Sequence, residues 1–404
     1  MKDLCTKGCV ALIKSFKVRL KPNNKQLTKL FQYAGCARYA YNWALTRQIE
    51  NNNYGCRFIT DEELRKEFTQ MKQEKDKEWL NDVSNNVMKQ AIKDACKEYN
   101  SYLKGEKVRP HFRSRANSMP SFYQDNCKIK FTSTHVRVEK LSGSRKKSRD
   151  CLNWIRLSEK DRIPVNAKYI NPRFKFDGLD WYVTVGVEVE EEEVPEKTFC
   201  DGIGIDLGVI TFATCSDRYK YMGVNKCKRI KTLEKRKKRY IKSLKRKYNY
   251  NKGEEGHFKT KNILKLEKKI LAIKIKLNRI RDNYIHFVTN SIIRRNPEFI
   301  CIEDLDISDM MKNHILAKAI KRQHFAEFRK QIIYKSIQNH IKVVIADRYF
   351  PSSKKCICCG NIKHDLKISD RIYRCTCGNV IDRDYQASLN LQEYGRNYLL
   401  QNAT

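Results

Sequence analysis

The sequence has no apolar run approaching the ~18 residues needed to cross a membrane. Its opening, MKDLCTKGCVALIKS, offers only a short apolar patch, Cys9 to Ile13, too little for an export signal. Acid is scarce: 46 Asp+Glu face 83 Lys+Arg, a formal net charge of +37. Paired cysteines are scarce too. Of sixteen cysteines most lie singly, as Cys5, Cys36, Cys96, Cys127 and Cys227 do, so reduced thiols are expected in place of a disulfide framework. These absences exclude a membrane-spanning or disulfide-built protein. They leave a cytosolic chain whose positive excess calls for a polyanion, with nucleic acid ahead of an anionic membrane surface. Apolar residues at 41% and aromatics at 10% imply folded domains, not a basic tail.

The chain is organised around GIGIDLGVITFAT, residues 202–214. Two β-rich runs flank Gly208, and Asp206 sits among Ile203, Ile205, Leu207 and Val209. A hairpin would present this carboxylate at a sheet edge. An acid in such company costs free energy unless a cation or hydrogen bonds compensate it, although a turn-capping Asp is the plainer alternative. Two later stretches repeat the pattern. EFICIEDLDI, 298–307, is a strand ending in Glu303 and Asp304, and VIDRDYQASLNLQEYG opens a helix with Asp382 and Asp384.

Before the hairpin, residues 10–20 end in strand alternation at Phe16, Val18 and Leu20, stopped by Pro22. From Asn24, a candidate N-cap, Leu27, Leu30, Phe31, Ala34, Ala37, Tyr41 and Ala44 recur at helical spacing. Further helices fit 61–74 and 84–104, so 24–105 reads as a helical domain. Residues 108–122 interleave Arg109, Arg113 and Arg115 with His111, Phe112 and Phe122 between two prolines. That composition suits phosphate contact and base stacking, or a basic linker. Short β runs from 127 to 187 predict a barrel or sandwich that the strand near residue 16 completes. An acidic stretch, 188–200, reads as a linker.

Residues 226–250 hold 13 Lys/Arg against one acid, Glu234, and 261–293 carry an apolar stripe at helical spacing. A helical hairpin follows, its first arm facing phosphates through residues such as Lys235, Arg236, Lys238 and Arg239. A helix is expected over 323–340 and a buried strand over 341–350. Cys356-x2-Cys359-Gly360 and Cys375-x-Cys377-Gly378 then have the spacing of a four-thiolate structural zinc site, with Cys358 as an alternative ligand. The second pair has one intervening residue where two are usual.

The acids in order (Asp206 in GIDLG, Glu303 in IEDL, Asp384 in DRDYQASLN), with the cysteine pairs lodged before the third, resemble the RuvC motifs and zinc ribbon of the TnpB family. KSFKVRLKP, YNWAL and PHFRSR have counterparts there as well. The resemblance implies a bacterial insertion-sequence protein: an RNA-guided endonuclease that binds a guide RNA from its element. It would cleave double-stranded DNA beside a short adjacent motif, working as a monomer on RNA with no small-molecule substrate. The implied fold class is α/β plus β-barrel. An RNase H-like RuvC domain, 201–350 and 378–404, would carry the helical hairpin 226–293 and a zinc ribbon, 351–377. A wedge-like, oligonucleotide-binding-like barrel, 1–23 and 106–187, would carry the helical recognition domain 24–105. Asp206, Glu303 and Asp384 would hold Mg²⁺ or Mn²⁺, with Asp384 preferred to Asp382 because it directly precedes Tyr385-Gln386-Ala387. Cys356, Cys359, Cys375 and Cys377 would hold Zn²⁺. Tyr39, Asn42, Lys89 and Gln90 fall where nucleic acid would be met. A DNA-binding repressor without cleavage and a strand-transferring transposase remain as alternatives.

Overall fold

A computed structural model describes residues 12–142, 152–189, 201–253, 256–257, 259–306, 310–312, 314–367 and 370–402. The chain divides into two compact units, Met1–Glu192 and Glu193–Thr404.

In the first unit, strand β1 (Leu12–Lys21) leads into a single long helix, α1 (Asn24–Asn53). The N-cap is Asn23, one residue earlier than expected. Its side chain accepts the Gln26 N–H while Gln26 accepts the Asn23 N–H, which satisfies donors the helix leaves free. Helices α2 (Asp61–Met71) and α3 (Asn85–Leu103) follow, shorter than expected at their C-termini. Then come β2 (Ser121–Tyr123), β3 (Lys130–Phe131), β4 (His135–Arg137), β5 (Trp154–Leu157), β6 (Tyr169–Phe176) and β7 (Trp181–Val189). The sheet order is β2-β6-β7-β1-β5-β4-β3, antiparallel throughout. β1 serves two partners: Leu12–Arg19 pair with β7, and Leu20 and Lys21 with β5. Backbone pairing among the described residues leaves β2 and β3 as edges, so the expected barrel is here a seven-stranded sheet.

Alternation places Val183, Val185 and Val187 of β7 inward, where they join Leu30, Tyr33, Ala37 and Tyr41 of α1 and Val87, Met88 and Ile92 of α3 in one core. Helical segment and sheet therefore share a core, in place of the two separate domains expected. β7 also runs on through Glu188, which pairs with Ile13, so the expected linker begins later than 188. Residues 190–200 lie outside the described residues.

The second unit begins with β8 (Ile203–Leu207), β9 (Thr211–Cys215) and β10 (Lys220–Met222). The helical hairpin is α4 (Lys228–Tyr250) and α5 (Lys261–Ile293), its tip formed by β11 (Lys252–Gly253) and β12 (Gly256–His257). β13 (Phe299–Glu303), α6 (His314–Gln323), α7 (Phe325–Gln338) and β14 (Lys342–Ala346) follow. A small hairpin of β15 (Ile372–Arg374) and β16 (Val380–Asp382) runs straight into α8 (Arg383–Gln401). The five-stranded order is β10-β9-β8-β13-β14, with β8, β13 and β14 mutually parallel and β9 and β10 antiparallel.

β13 is buried on both faces. Ile300 and Ile302 pack with α5 and α7, while Phe299 and Cys301 pack with Leu391 of α8. Helices thus cover both sides of the sheet, a three-layer α/β arrangement. The sequence signal missed α6. The helix expected over 323–340 is broken at its start by His324, whose φ of 56° stops α6 without a Gly or Pro to mark the place. None of the helices, among the described residues, is long and apolar enough to cross a membrane.

Candidate nuclease centre and metal site

Parallel register sets the first two acids level. Ile302 of β13 pairs with Ile205 of β8, so Glu303 and Asp206 follow side by side at the next step. The third acid arrives by close packing of α8 on β8. Gln392 donates to the Gly202 carbonyl at 2.6 Å, and the Ser388 carbonyl lies over Gly204. Four helix residues back from Ser388 (~6 Å) therefore match two strand residues forward from Gly204 (~6.6 Å), which brings Asp384 toward Asp206. Gly204 is required for this approach. A Cβ there would stand 2.0 Å from the Ser388 carbonyl and 2.4 Å from the Gln392 nitrogen.

The acids act on one another. Burial raises the pKa of Asp206 well above the ordinary carboxylate value, and the charges of Glu303 and Asp384 raise it further. Burial also raises Glu303, against a hydrogen bond donated by the Ser352 hydroxyl. The charge of Arg383 partly offsets this in both. Asp384 lies 3.8 Å from both Arg371 and Arg383. Three carboxylates from two strands and a helix, two of them pushed toward protonation, form a donor set that fits a hard divalent cation. The neighbouring acids are otherwise engaged. Asp304 pairs with Arg329 (2.6 Å) and Arg348 (3.2 Å), which hold its pKa below the usual range. Asp382 caps α8 by accepting the Tyr385 N–H and pairs with Lys220 at 3.0 Å.

The cysteine cluster is compact. Cys356, Cys359, Cys375 and Cys377 have all four sulfurs within 4.8 Å, with closest pairs at 3.7 Å (Cys356–Cys377) and 3.6 Å (Cys359–Cys375). Those separations suit the edges of a tetrahedron with ~2.3 Å metal–sulfur bonds. Cys358 stands exposed outside the cluster. Both knuckles close alike. Gly360 and Gly378 take φ of 75° and 90°, and the N–H of Cys356 and Cys375 bonds to the carbonyls of Asn361 and Asn379. The second loop is one residue shorter and keeps the same closure, which explains the tolerated spacing. Burial pushes the Cys356 thiol up, but N–H groups of Cys359, Asn379 and Cys358 outweigh it and bring the pKa down to about 6. A thiolate is ready there for a cation.

The expected nucleic-acid contacts divide. Lys235, Arg236, Lys238 and Arg239 are exposed on α4, and the helix's lone acid, Glu234, is clamped by Arg281, Arg322 and Lys237. Lys89, Arg109 and Arg115 are exposed. Tyr39 and Arg115 line a groove of about 810 Å³ along α1, together with Arg38 and Trp79. Asn42 lines the same groove and is tied to the Arg113 backbone: its amide N–H donates to the Arg113 carbonyl and its oxygen accepts the Arg113 N–H, each at 2.8 Å. The Arg113 guanidinium stacks 3.4 Å from the Tyr41 ring centre and pairs with Glu98. Gln90 donates to Asp94. Residues the sequence reading passed over are Ser352 beside Glu303 and Arg383 beside the acid cluster; neither stands out by composition or spacing.

Three family models match in order along the chain: a "Helix-turn-helix domain" over 12–56, a "Probable transposase" over 183–314, and a "Cas12f1-like, TNB domain" over 325–391. The first segment is here a strand and one uninterrupted helix. A protein named as an RNA-guided DNA endonuclease, InsQ of Escherichia coli (strain K12), is 24% identical over 378 residues, 90% of this chain and 87% of that one. Another so named, from Streptomyces pristinaespiralis, is 24% identical over 382 residues, 95% of this chain and 89% of that one. A chain from a cryo-EM structure of a Cas12f1–sgRNA–target DNA complex shares the fold at TM-score 0.58 and 12% identity, covering 94% of this chain and 98% of that one. Two of the three models are OrfB_IS605 models and the named relatives are matched over most of the chain, so the chain is similar along its length to OrfB-type transposon proteins and to proteins named RNA-guided DNA endonucleases.

Proposed function

We propose that this protein is an RNA-guided DNA endonuclease whose cleaving centre is Asp206, Glu303 and Asp384. The observation that carries the reading is convergence: Asp206 and Glu303 stand on neighbouring strands where burial and nearby acids disfavour their charge, and Asp384, far away in sequence, is close enough to act on both. Such an arrangement is unfavourable for stability and makes sense at a site that receives cations. The strand order, an antiparallel β8-β9-β10 meander joined to the parallel β8, β13 and β14 with acids on the adjacent β8 and β13, supports an RNase H-like, RuvC-type reading. Mg²⁺ or Mn²⁺ bound there would lower the pKa of a water and stabilise the leaving 3′ oxygen.

The chain's own residues supply the rest. β8 and β13 fix Asp206 and Glu303 in register, α8 brings Asp384 over them, and Asp304 and Asp382 stay neutralised by their own cations. The four cysteines would hold a structural Zn²⁺, since four thiolates leave no open position. Guide RNA and target DNA would lie against the exposed cations of α4 and those near α1, with base pairing supplying the sequence and the protein holding backbone.

The test is to express the chain with its flanking DNA, sequence the RNA that co-purifies, and assay the complex on matched and mismatched duplexes with Mg²⁺. Cleavage should follow the RNA. Asp206→Ala, Glu303→Ala and Asp384→Ala should each abolish cutting while RNA and DNA binding persist. DNA binding without cutting by the intact chain would instead make it a guided repressor.

A further inference from the structure

The zinc ribbon is tied to the acid cluster at its entrance as well as through the helix that follows it. Ser352, in the turn that leads to the first cysteine pair, is buried, and its hydroxyl donates to the Glu303 carboxylate. Its backbone is fixed from the other side: Asn390 of α8, fully buried, donates its amide N–H groups to the carbonyls of Ser352 (2.6 Å) and Lys355 (2.7 Å). Lys355 reaches Glu393 at 3.1 Å, so the ribbon's base is held to α8 at one more point. At the ribbon's far end, Asn379 spans the Cys356 sulfur (3.5 Å) and Gln386 (2.9 Å), two residues beyond Asp384. Arg383, adjacent to Asp384, donates to the carbonyls of Lys367 and Asp370 in the ribbon loop.

We infer that Ser352 is a positioning residue for Glu303, held by Asn390 and the root of the zinc ribbon, so that it sets how the acid cluster receives its divalent cation. This rests on the nuclease reading above. A carboxylate on a strand end keeps rotational freedom; a hydroxyl bonded to one of its oxygens fixes the rotamer and leaves the other oxygen for a cation. Partners that orient a ligand in this way typically alter metal affinity or activity 10- to 100-fold when removed.

The experiment compares Ser352→Ala, Ser352→Thr, Glu303→Ala and the unaltered chain, all zinc-loaded and complexed with RNA. Mn²⁺ binding is measured by calorimetry, and melting temperature, zinc content and guided cleavage are recorded beside it. Ser352→Ala should weaken Mn²⁺ binding 10- to 100-fold and shift the Mn²⁺ dependence of cleavage to match, with zinc content, RNA binding and melting temperature near those of the unaltered chain. Ser352→Thr, which keeps the hydroxyl, should restore most of it. Unchanged Mn²⁺ affinity in Ser352→Ala while Glu303→Ala is inactive overturns the positioning role alone. A loss accompanied by zinc release or a collapsed melting temperature overturns it too, in favour of a merely structural serine. Cleavage surviving in Glu303→Ala would overturn the nuclease assignment itself.

Discussion

Asp206 sits in a strand whose neighbours are Ile203, Ile205 and Leu207, and its carboxyl is pushed up first by burial, then by Glu303 and Asp384. The consequence for stability has a definite sign. Unfolded, the acid loses its proton near ~3.9; folded and metal-free, it holds the proton to higher pH. The native state therefore binds more protons between those values, and stability falls as pH rises through that window. Asp206→Asn should remove this cost. At neutral pH without divalent cations it should melt higher than the unaltered chain by ~2–4 °C per 1 kcal/mol recovered, while cleavage is lost. Added Mn²⁺ should raise the melting temperature of the unaltered chain more than that of the variant. A lower melting temperature for Asp206→Asn at neutral pH would show that the carboxylate is compensated in a way the electrostatics do not reveal. The residue type and apolar setting of Asp206 were legible in the sequence. The fate of Asn42 was not, because its partner Arg113 lies 71 residues away and neither residue advertises the other.

At the scale of elements, the hairpin of β8 and β9 and both cysteine knuckles were legible because each carries local chemistry: alternation around a glycine turn, or Cys-Gly closing a loop. The approach of α8 to β8 was not, although Gly204 is its cause. Gly204→Ala would place a methyl against the backbone of Ser388 and Gln392, which has no side-chain slack to yield. Overpacking of this kind typically costs ~1–3 kcal/mol, and any relief moves Asp384 away from Asp206. The variant should therefore unfold at lower denaturant and cut DNA poorly even where it is fully folded; full activity would show that α8 can shift without disturbing the acids. Cys356→Ser tests the neighbouring element. It removes the thiol already most disposed to bind a cation, and should yield less folded protein with less than one zinc per chain, since structural zinc contributes to folding itself. A stable, zinc-free, active variant would contradict the four-cysteine site.

At the scale of the whole molecule, a net charge of +37 needs a partner, and α4 shows how part of it is kept available. Its one acid is consumed by Arg281, Arg322 and Lys237, so the exposed Lys235, Arg236, Lys238 and Arg239 have no carboxylate on their own helix to pair with. Sequence alone gave the charge excess of this arm but not which cations it spends internally. Phosphate contacts release counterions, so affinity should fall ~10³-fold or more between 50 and 200 mM salt if six or more phosphates are engaged. Changing those four residues together to Gln should weaken RNA or DNA binding and flatten the log–log salt slope by up to ~3.6, about 0.9 for each phosphate contact on duplex DNA. Because all four are exposed, the melting temperature should hardly move. A slope unchanged in the quadruple variant would place the polyanion elsewhere on the molecule, with the exposed Lys89, Arg109 and Arg115 the next to neutralise. A slope reduced for one nucleic acid and not the other would say which of the two lies along α4.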